Sequence, residues 1–304
     1  MIPLEKVLKN ERLLHALIGM GSEEFIQLLP EFEGTLARFR HRAYLANPDR
    51  TRKPGGGKKG FLKTSAEQLF FILLYYKCYP TYDLMSFLYA CDRSAACRRQ
   101  QRMSGILERT LKRKLVLPKR QIRSIEEFLK AFPEAREVFI DGTERPIQRP
   151  QDTQKQRANY SGKKKRHTRK NIIISTKKKR IGFLSKTMDG KESDITILRA
   201  TAPPRFIPLY VKTHVDLGFK GLDTEFPDHR ISIPAKKPRT RDLTQAQKEK
   251  NKKKSSVRVL VEHAIGGIKR FGIVSQVFRN KKEGFDDTAL LISSGLWNYH
   301  LAMS

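Results

Sequence analysis

The stretch Glu137-Val138-Phe139-Ile140-Asp141-Gly142-Thr143 brings a short apolar run directly up to an Asp-Gly pair. Such a run predicts a buried strand, and Asp-Gly predicts a turn, so the Asp141 side chain should emerge at the strand end. An Asp-Gly turn that closes an ordinary strand is the plainer alternative. The stretch alone does not decide between a structural turn and a functional carboxylate.

Two segments further along the chain present carboxylates in a similar way. Residues 211–218 predict a second strand that ends at Asp216, and residues 257–271 predict a helix that carries Glu262. Three separated carboxylates, two at strand ends and one on a helix, are the groups that a two-metal phosphoryl-transfer site requires.

The predicted helix of residues 257–271 has one apolar and one polar face. Its apolar side chains recur at intervals of three and four residues, which places Arg258, Glu262 and Lys269 together on the opposite face. A surface ion pair between Arg258 and Glu262, worth about a few tenths of a kcal/mol, explains this spacing without any function. In the functional interpretation, Glu262 points at a metal while Arg258 and Lys269 hold phosphates. The apolar positions are Val257, Val261, Ala264, Ile268 and Phe271.

The charge of the chain indicates a polyanionic partner. Its 304 residues include 62 Lys and Arg against 31 Asp and Glu, a net charge of +31. Nucleic acid is the first candidate, because neutralising phosphates releases condensed counterions, but a ribosomal or membrane-surface role would also explain the excess. With 38% hydrophobic residues, the chain is expected to fold rather than to serve as a basic tail.

Cysteines and apolar runs indicate the compartment. Cys78, Cys91 and Cys97 form no Cys-x-x-Cys pair, so we expect buried thiols in a reducing compartment rather than a disulfide scaffold or a zinc site. The longest apolar run, residues 69–76, is far shorter than the roughly 18 residues that a membrane span needs. No signal peptide is evident, and a soluble intracellular protein is expected.

The N-terminal part is predicted to consist of three sections. Residues 1–46 carry helical patterns, residues 47–60 form a basic connector rich in Pro and Gly, and residues 61–120 contain three helices. Within the third section, a short helix at 82–89, a tight turn and a longer helix from 93 to about 111 fit a helix-turn-helix, although any small helical bundle gives the same pattern. The connector is either a solvated linker or an arm along the DNA backbone.

The longer of these helices is the predicted DNA reader. Its apolar side should pack inward, while its polar side approaches the major groove. The apolar side comprises Ala96, Met103, Ile106 and Leu107, and the polar side comprises Arg98, Arg99, Gln101 and Arg102.

Residues 121–304 are predicted to form an α/β domain. Strand, hairpin, helix, strand, strand and helix follow one another, which favours a mixed sheet with helices on both faces. A basic loop at residues 160–168 precedes the hairpin, and a second basic run at residues 236–256 is expected to be exposed. The loop supplies candidate contacts to DNA phosphates: Lys163, Lys164, Lys165, Arg166 and His167.

Four short motifs in this domain resemble those of DDE-type insertion-sequence transposases, in the bacterial group related to the Harbinger elements. The resemblance covers nearly the whole chain, because residues 80–82 and the helices after them also look like the helix-turn-helix of that family. The four motifs are Ile140-Asp141-Gly142-Thr143-Glu144-Arg145-Pro146, Tyr160-Ser161-Gly162-Lys163-Lys164-Lys165-Arg166-His167-Thr168, Asp216-Leu217-Gly218-Phe219-Lys220-Gly221 and Arg258-Val259-Leu260-Val261-Glu262-His263.

The resemblance implies a ribonuclease-H-like catalytic domain in which Asp141, Asp216 and Glu262 form the metal-binding catalytic triad. It also implies two Mg²⁺ ions, replaceable by Mn²⁺, and double-stranded DNA as partner, both as transposon ends and as target. A homodimer or a higher synaptic complex in the bacterial cytoplasm, associated with the nucleoid, is expected. Carboxylates suit Mg²⁺, and two ions would activate a nucleophile and stabilise the leaving oxygen.

One position departs from the family pattern, and competing carboxylates remain. Many relatives show His-Asp after the hairpin where this chain has Ser193-Asp194, which puts an extra role for that histidine in doubt. Asp194 is interpreted as a helix cap and is ranked below the triad. The other lower-ranked carboxylates are Asp189, Asp223 and Glu225.

Three functions remain open from the sequence. The leading hypothesis is a DNA transposase that binds terminal inverted repeats and catalyses strand cleavage and strand transfer. The second is a transposase-derived DNA-binding protein without catalysis, and the third is a basic RNA-binding or ribosomal component. Metal-dependent cleavage of DNA that carries the repeats would separate them.

Overall fold

The computed structural model describes residues 3–46, 60–237, 240 and 242–304. It divides into two compact units. The first comprises Met1–Leu117, Arg270–Ile273 and Ala302–Ser304, and the second comprises Pro118–Lys269 and Val274–Leu301. The predicted connector of residues 47–60 lies, apart from Gly60, outside the described residues.

The first unit is helical. The helical pattern at the N-terminus begins with two short helices. Asn10 separates them and caps the second by accepting a hydrogen bond from the Leu13 amide (3.0 Å). The helices are α1 (Leu4–Leu8), α2 (Glu11–Ile18), α3 (Ser22–Leu45), α4 (Ser65–Cys78), α5 (Tyr82–Tyr89) and α6 (Arg93–Arg113).

Helices α4, α5 and α6 form the predicted helix-turn-helix. A capping box opens α4, since the Glu67 amide donates to Thr64 Oγ1 (3.1 Å) and the Thr64 amide donates to Glu67 Oε2 (3.0 Å). Thr81 caps α5 by accepting a hydrogen bond from the Leu84 amide (3.2 Å), and Ala90 ends the helix in the left-handed region at φ 48°. The predicted apolar side of α6 is confirmed: Ala96, Met103, Ile106 and Leu107 are all fully buried.

The cysteine prediction was wrong in one respect. Cys78 is exposed, and Cys91 and Cys97 are only partly buried, so the thiols are not the core residues that their apolar character suggested. In the described part of the chain, none of the three forms a disulfide bond.

The second unit is a mixed α/β domain, as predicted. Its strands are β1 (Glu137–Pro146), β2 (Tyr160–Ser161), β3 (Arg166–Thr176), β4 (Ile181–Leu184), β5 (Met188–Asp189), β6 (Lys212–His214) and β7 (Ile231–Ser232). Its helices are α7 (Ile125–Ala131), α8 (Thr153–Asn159), α9 (Asp194–Thr201), α10 (Leu222–Glu225), α11 (Gln245–Lys269), α12 (Gly272–Ser275) and α13 (Phe285–Met303), of which α12 and the end of α13 extend into the first unit.

The central strands run in the order β4, β3, β1, β6, β7. β3 is antiparallel to both β1 and β4, whereas β6 is parallel to β1 and β7 is parallel to β6. β2 and β5 add short antiparallel pairings to β3. The predicted hairpin is therefore present as β3 and β4. Its first strand is longer than expected, because the last three residues of the predicted basic loop, 166–168, belong to it.

Two layers of helix pack on this sheet. Alternate residues of β1, including Val138 and Ile140, join an apolar cluster with α7 and α9, represented by Phe128 and Ile197. α11 also contacts β1 and β3, and its residues are not part of that cluster. The sheet is thus buried on both sides, which explains why its central strands are apolar without alternation.

A polar network fastens the start of α13 to the sheet. The buried Arg145 guanidinium donates to the Asp286 carbonyl oxygen (2.8 Å) and to Thr187 Oγ1 (2.9 Å), while Arg120 makes two bonds to Asp287 (2.5 and 2.6 Å). Burial lowers the pKa of Arg145 to about 10, and the carboxylates of Asp286 and Asp287 oppose that change. Because the Arg145 guanidinium is paired in this way, its buried charge is tolerated.

α11 begins well before the predicted helix. Its first half, residues 245–256, belongs to the basic run that was expected only to be exposed. Those residues are largely exposed, but Asn251 exchanges two hydrogen bonds with the backbone of Ala235 (2.8 and 2.9 Å), which anchors the added turns. Along the described parts of the chain, no helix is long and apolar enough to cross a membrane.

Candidate active site

Asp141 lies inside β1, paired with Ile173 of β3, so the predicted turn at Asp141-Gly142 was wrong: the pairing with β3 carries β1 on to Pro146. Asp216 follows the neighbouring parallel strand β6. The last pairs between β1 and β6 are Val138 with Thr213 and Phe139 with His214, so each aspartate follows two residues after the last pair. Both aspartates therefore lie just beyond the point where the pairing of β1 with β6 ends, and the charge of Asp216 acts on Asp141. The sequence predicted this meeting from two strand-then-Asp segments.

The electrostatics of Asp141 reflect this crowding. Burial, followed by the charge of Asp216, raises the pKa of Asp141 to about 6, and Asp194 adds a smaller contribution in the same direction. The Gly142 amide, which donates to Asp141 Oδ1 (2.8 Å), and the Arg258 guanidinium oppose the rise in pKa. The site thus concentrates negative charge that its own cations offset only in part.

Asp194 is the residue at this edge that the sequence reasoning undervalued. The cap of α9 is Ser193, whose Oγ accepts from the Thr196 amide (3.2 Å), so the interpretation of Asp194 as the cap was wrong. Its carboxylate occupies the space over Gly142, where an added Cβ would lie 2.7 Å from Asp194 Cγ. That space is therefore filled by a side chain.

Lys170 of β3 forms ion pairs with Asp194 and Glu144. Its ammonium lies 3.3 Å from Asp194 Oδ1 and 3.6 Å from Glu144 Oε1. Burial raises the pKa of Asp194, Lys170 opposes that rise, and Asp216 and Glu144 add to it. Neither Lys170 nor Asp194 was among the predicted site residues; the Ser193-Asp194 pair, at the position where the family shows His-Asp, was the available signal.

Glu262 does not join the group of carboxylates that Asp141, Asp216 and Asp194 form. Its side chain is 57% exposed and lies 3.7 Å from Arg258, four residues earlier on α11. This is the surface ion pair that explains the four-residue spacing of Arg258 and Glu262 without any function. In the part of the chain that the structure describes, no group of three or more His, Cys, Asp or Glu side chains is arranged to hold a metal ion.

The apolar stripe of α11 agrees in part with its prediction. Val261, Ala264 and Ile268 are buried, Val257 is only partly buried, and Phe271 is buried beyond the end of the helix.

Two cations of α11 lie on the side of the helix that influences Asp141. Arg258 lowers the pKa of Asp141, and the Asp141 carboxylate in turn raises the pKa of Lys269. Partial burial and the neighbouring Lys164 nevertheless leave the pKa of Lys269 lowered overall. Glu262 lies between these two cations in sequence and, at helical spacing, on the same face.

The basic loop is a tight turn that joins β2 to β3. Ser161 closes it, since its carbonyl oxygen accepts from the Lys165 amide (2.8 Å) and its Oγ accepts from the Lys164 amide (3.2 Å). Lys165 adopts φ 53° at the tip. The side chains of Lys163, Lys164, Lys165 and Arg166 are all exposed, and that of His167 is partly buried.

On α6 the four predicted DNA-reading residues differ in exposure. Arg98 and Arg102 are exposed, whereas Arg99 and Gln101 are partly buried. Arg99 lies over the ring of Phe61 at 5.5 Å, and burial lowers its pKa. Arg98 and Arg102, four residues apart, therefore form the open part of this face.

Comparison with known families identifies the class of protein that this fold and site define. Residues 140–298 match the family described as DDE superfamily endonuclease, and residues 61–113 match the family described as helix-turn-helix of DDE superfamily endonuclease. The chain belongs to the DDE superfamily endonucleases.

A curated relative points to the particular kind of enzyme. The chain is 32% identical, over 260 residues, to the "Probable transposase for insertion sequence element IS702" of Microchaete diplosiphon; the match covers 85% of this chain and 87% of the relative. No solved structure gives a significant match. The protein is a transposase of the DDE superfamily with a helix-turn-helix domain, and the resemblance stated from the sequence is confirmed.

Proposed function

We propose that this transposase binds the terminal inverted repeats of its element and then cleaves and joins DNA strands by in-line phosphoryl transfer at Asp141, Asp216 and Glu262. The observation that carries the proposal is the meeting of Asp141 and Asp216 where the pairing of β1 with β6 ends. Two carboxylates forced together at the open edge of a sheet gain stability when a cation lies between them.

Endonucleases of this superfamily use divalent metal ions. Asp141 and Asp216 fit such an ion by their chemistry, since hard carboxylate oxygens are the ligands that Mg²⁺ prefers. Glu262, on the face of α11 that also carries Arg258 and Lys269, would supply the third carboxylate. We propose two Mg²⁺ ions, replaceable by Mn²⁺, which would provide Lewis-acid stabilisation of the displaced oxygen.

The residues of the chain itself are proposed to position the DNA. Lys269 and Arg258 bring positive charge to within electrostatic reach of Asp141, and Lys164 lies close enough to Lys269 to depress its pKa. A strand backbone drawn to these cations would place its phosphates beside the carboxylates.

A cleavage assay on DNA with and without the flanking repeats of the element tests the proposal. With Mg²⁺ present, we expect nicking at the repeat ends and no comparable nicking of DNA that lacks them. Binding without cleavage would favour a DNA-binding protein derived from a transposase, and equal binding to RNA and to DNA without ends would contradict the proposal altogether.

Replacing Lys164 and Lys165 by Ala is expected to weaken DNA binding for all sequences alike. Two lost phosphate contacts should reduce the slope of log K against log salt by about 1.8. Lys177→Ala with Lys178→Ala is the matched control, because these exposed lysines occupy the turn at the other end of β3. Titrations at several salt concentrations measure both slopes; equal slopes for the two double variants would remove the basic turn from the DNA interface.

Arg98→Ala and Arg102→Ala are expected to reduce the preference for repeat DNA over random DNA. Each lost base contact should cost about 1–3 kcal/mol of discrimination. Lys112→Ala, an exposed cation in the last turn of α6, should weaken binding to both DNAs equally. Competition binding measures the ratio, and an unchanged preference in both arginine variants would show that another element reads the repeat.

Synapsis of two transposon ends requires two binding modules, and we propose that the protein acts as a homodimer or higher assembly. Light scattering with and without repeat DNA tests this. A single protein chain on each DNA duplex under cleavage conditions would contradict it.

A further inference from the structure

Arg99 of α6 is held at one side of the predicted DNA-reading face. With 3.6 residues per turn, it lies roughly a quarter turn from the middle of the pair Arg98 and Arg102. Its guanidinium lies over the Phe61 ring, 5.5 Å from the ring centre, and an added Cβ on Gly60 would lie 3.2 Å from its Nη2 atom. A guanidinium stacked in this way is fixed in position but keeps N–H donors along its edge.

Within the first unit, α3 packs antiparallel to α6. Glu31 of α3 pairs with Arg113 at the end of α6 (2.6 Å). Two turns later on α3, the ring of Phe39 lies under the guanidinium of Arg109, one turn earlier on α6 (5.5 Å). The last turns of α3 therefore run toward the first half of α6, which carries Arg99.

Arg40 is the residue of α3 that brings a second positive charge to this side of α6. It follows the buried Leu36 by four residues, so it lies at the border of the buried face of α3, and it is itself exposed. Burial lowers the pKa of Arg99, and the charges of Arg102 and Arg40 lower it further. Arg40 and Arg99, which come from different helices, therefore repel each other.

Two other arginines of these helices are neutralised, whereas this pair is not. Arg38 and Arg113 share the carboxylate of Glu31, at 2.9 and 2.6 Å. Among the residues that the structure describes, no carboxylate forms an ion pair with Arg40 or Arg99. Two guanidiniums that repel each other gain stability from an anion between them, and phosphate oxygens match their planar donors.

We propose that Arg40 and Arg99 together hold one phosphate of the DNA backbone at the edge of the groove that α6 enters. Backbone phosphates border the major groove, so a side chain at the flank of the reading face meets the backbone rather than the bases. α3 lies outside residues 61–113, which match the helix-turn-helix family, so the DNA-binding surface extends beyond that motif. The inference rests on the proposed function, because it takes α6 as the helix that lies on repeat DNA.

The first test is a salt titration of the full-length protein on two fluorescent duplexes, one with the terminal repeat and one of random sequence. Arg40→Gln, Arg99→Gln and the double variant should each weaken binding to both duplexes by the same factor, because a phosphate carries no sequence information. The double variant should lower the slope of log K against log salt by about 0.9, the value of one phosphate. Because both guanidiniums share that phosphate, its loss of affinity should be smaller than the product of the two single losses.

Arg38→Gln is the matched control for the salt titration. Arg38 lies two residues before Arg40 on the same helix, but its guanidinium is already paired with Glu31, so its loss should leave the slope almost unchanged. Equal slopes for Arg38→Gln and the double variant would overturn the inference. Melting temperatures identify variants that fail to fold. Should Arg99→Gln not fold, the comparison of Arg40→Gln with Arg38→Gln decides alone.

A second test locates the phosphate on the DNA. Neutral methylphosphonate replaces the phosphates of the repeat duplex one position at a time, and each duplex is titrated with the wild type and with the double variant. At one position, the replacement should weaken binding of the wild type and leave binding of the double variant unchanged. If no position distinguishes the two proteins, Arg40 and Arg99 do not contact the backbone.

The outcomes separate this inference from the proposed function. Equal binding of repeat and random duplexes by the wild type would contradict the proposed recognition of repeats, and the slopes on random DNA would still decide the role of Arg40 and Arg99. If Arg40→Gln weakens binding to the repeat duplex alone, Arg40 reads sequence, and its assignment to a phosphate is wrong.

Discussion

Asp141→Asn is expected to abolish Mg²⁺-dependent strand cleavage while leaving the fold and DNA binding intact. The amide keeps the shape of the side chain and removes its charge, so the cation and the displaced oxygen lose their partner. A decrease of at least about a hundredfold in the cleavage rate is expected, as for the loss of other groups that stabilise developing charge. Glu262→Gln should have the same effect.

The pKa of Asp141 shows why the fold should survive this change. A carboxyl whose pKa is raised to about 6 in the folded protein is disfavoured there in its ionised form. At neutral pH, a neutral amide therefore relieves repulsion from Asp216 rather than adding strain. Melting temperatures of the variant and of the wild type, both without metal, check this point.

Asp223→Asn is the matched control for the cleavage assay. Asp223 is an exposed carboxylate of α10 in the same unit, and its substitution should leave the cleavage rate unchanged. Gel shifts with repeat DNA verify that all three variants still bind. Cleavage near the wild-type rate by Asp141→Asn or Glu262→Gln would show that the catalytic residues are others.

Gly267→Ala is expected to destabilise the second unit strongly, whereas Gly266→Ala should not. An added Cβ on Gly267 would lie 2.4 Å from the Trp297 ring of α13, while nothing lies within 4 Å of one on Gly266. Overpacking of this kind costs about 1–3 kcal/mol. Alanine at the exposed Gly266 instead favours the helix by up to about 1 kcal/mol.

The adjacent glycines therefore form their own control pair. Trp297 is the single tryptophan of the chain, so its fluorescence during urea unfolding reports on this packing directly. The midpoints of the two variants should move in opposite directions from that of the wild type. If both alanines shift the midpoint equally, the contact between α11 and Trp297 does not contribute to stability.

The sequence predicted those features that depend on local pattern. The order of strands and helices around Asp141 and Asp216 followed from apolar runs and turns, and the buried side of α6 followed from its helical period. The meeting of Asp141 and Asp216 was predictable because each follows an apolar strand segment, but the turn expected at Asp141-Gly142 was wrong, since pairing with β3 extends β1 to Pro146. The family motifs gave the class of enzyme.

Other features depend on contacts between distant segments. Lys170 and Asp194 are separated by a hairpin, and no periodicity relates a buried lysine of β3 to the start of α9. The first half of α11 lacks an apolar stripe, and its bonds from Asn251 to Ala235 come from outside the helix. The pairing of Glu262 with Arg258 is a choice of rotamer, which spacing allows but does not decide.

The attachment of α13 to the sheet has a consequence for biosynthesis. The Arg145 guanidinium and the Asp286 carbonyl oxygen that accepts from it are 141 positions apart in the sequence. Asp287, the next residue, accepts a hydrogen bond from Arg120. A ribosome adds about 5–20 residues per second, so β1 leaves the exit tunnel several seconds before these acceptors exist. Until then the Arg145 guanidinium has its acceptors on Asn171 and Thr187 but lacks the one on Asp286. We therefore expect ribosome-bound fragments that stop before residue 285 to lack strand cleavage, whereas their helix-turn-helix at residues 61–113 is already complete.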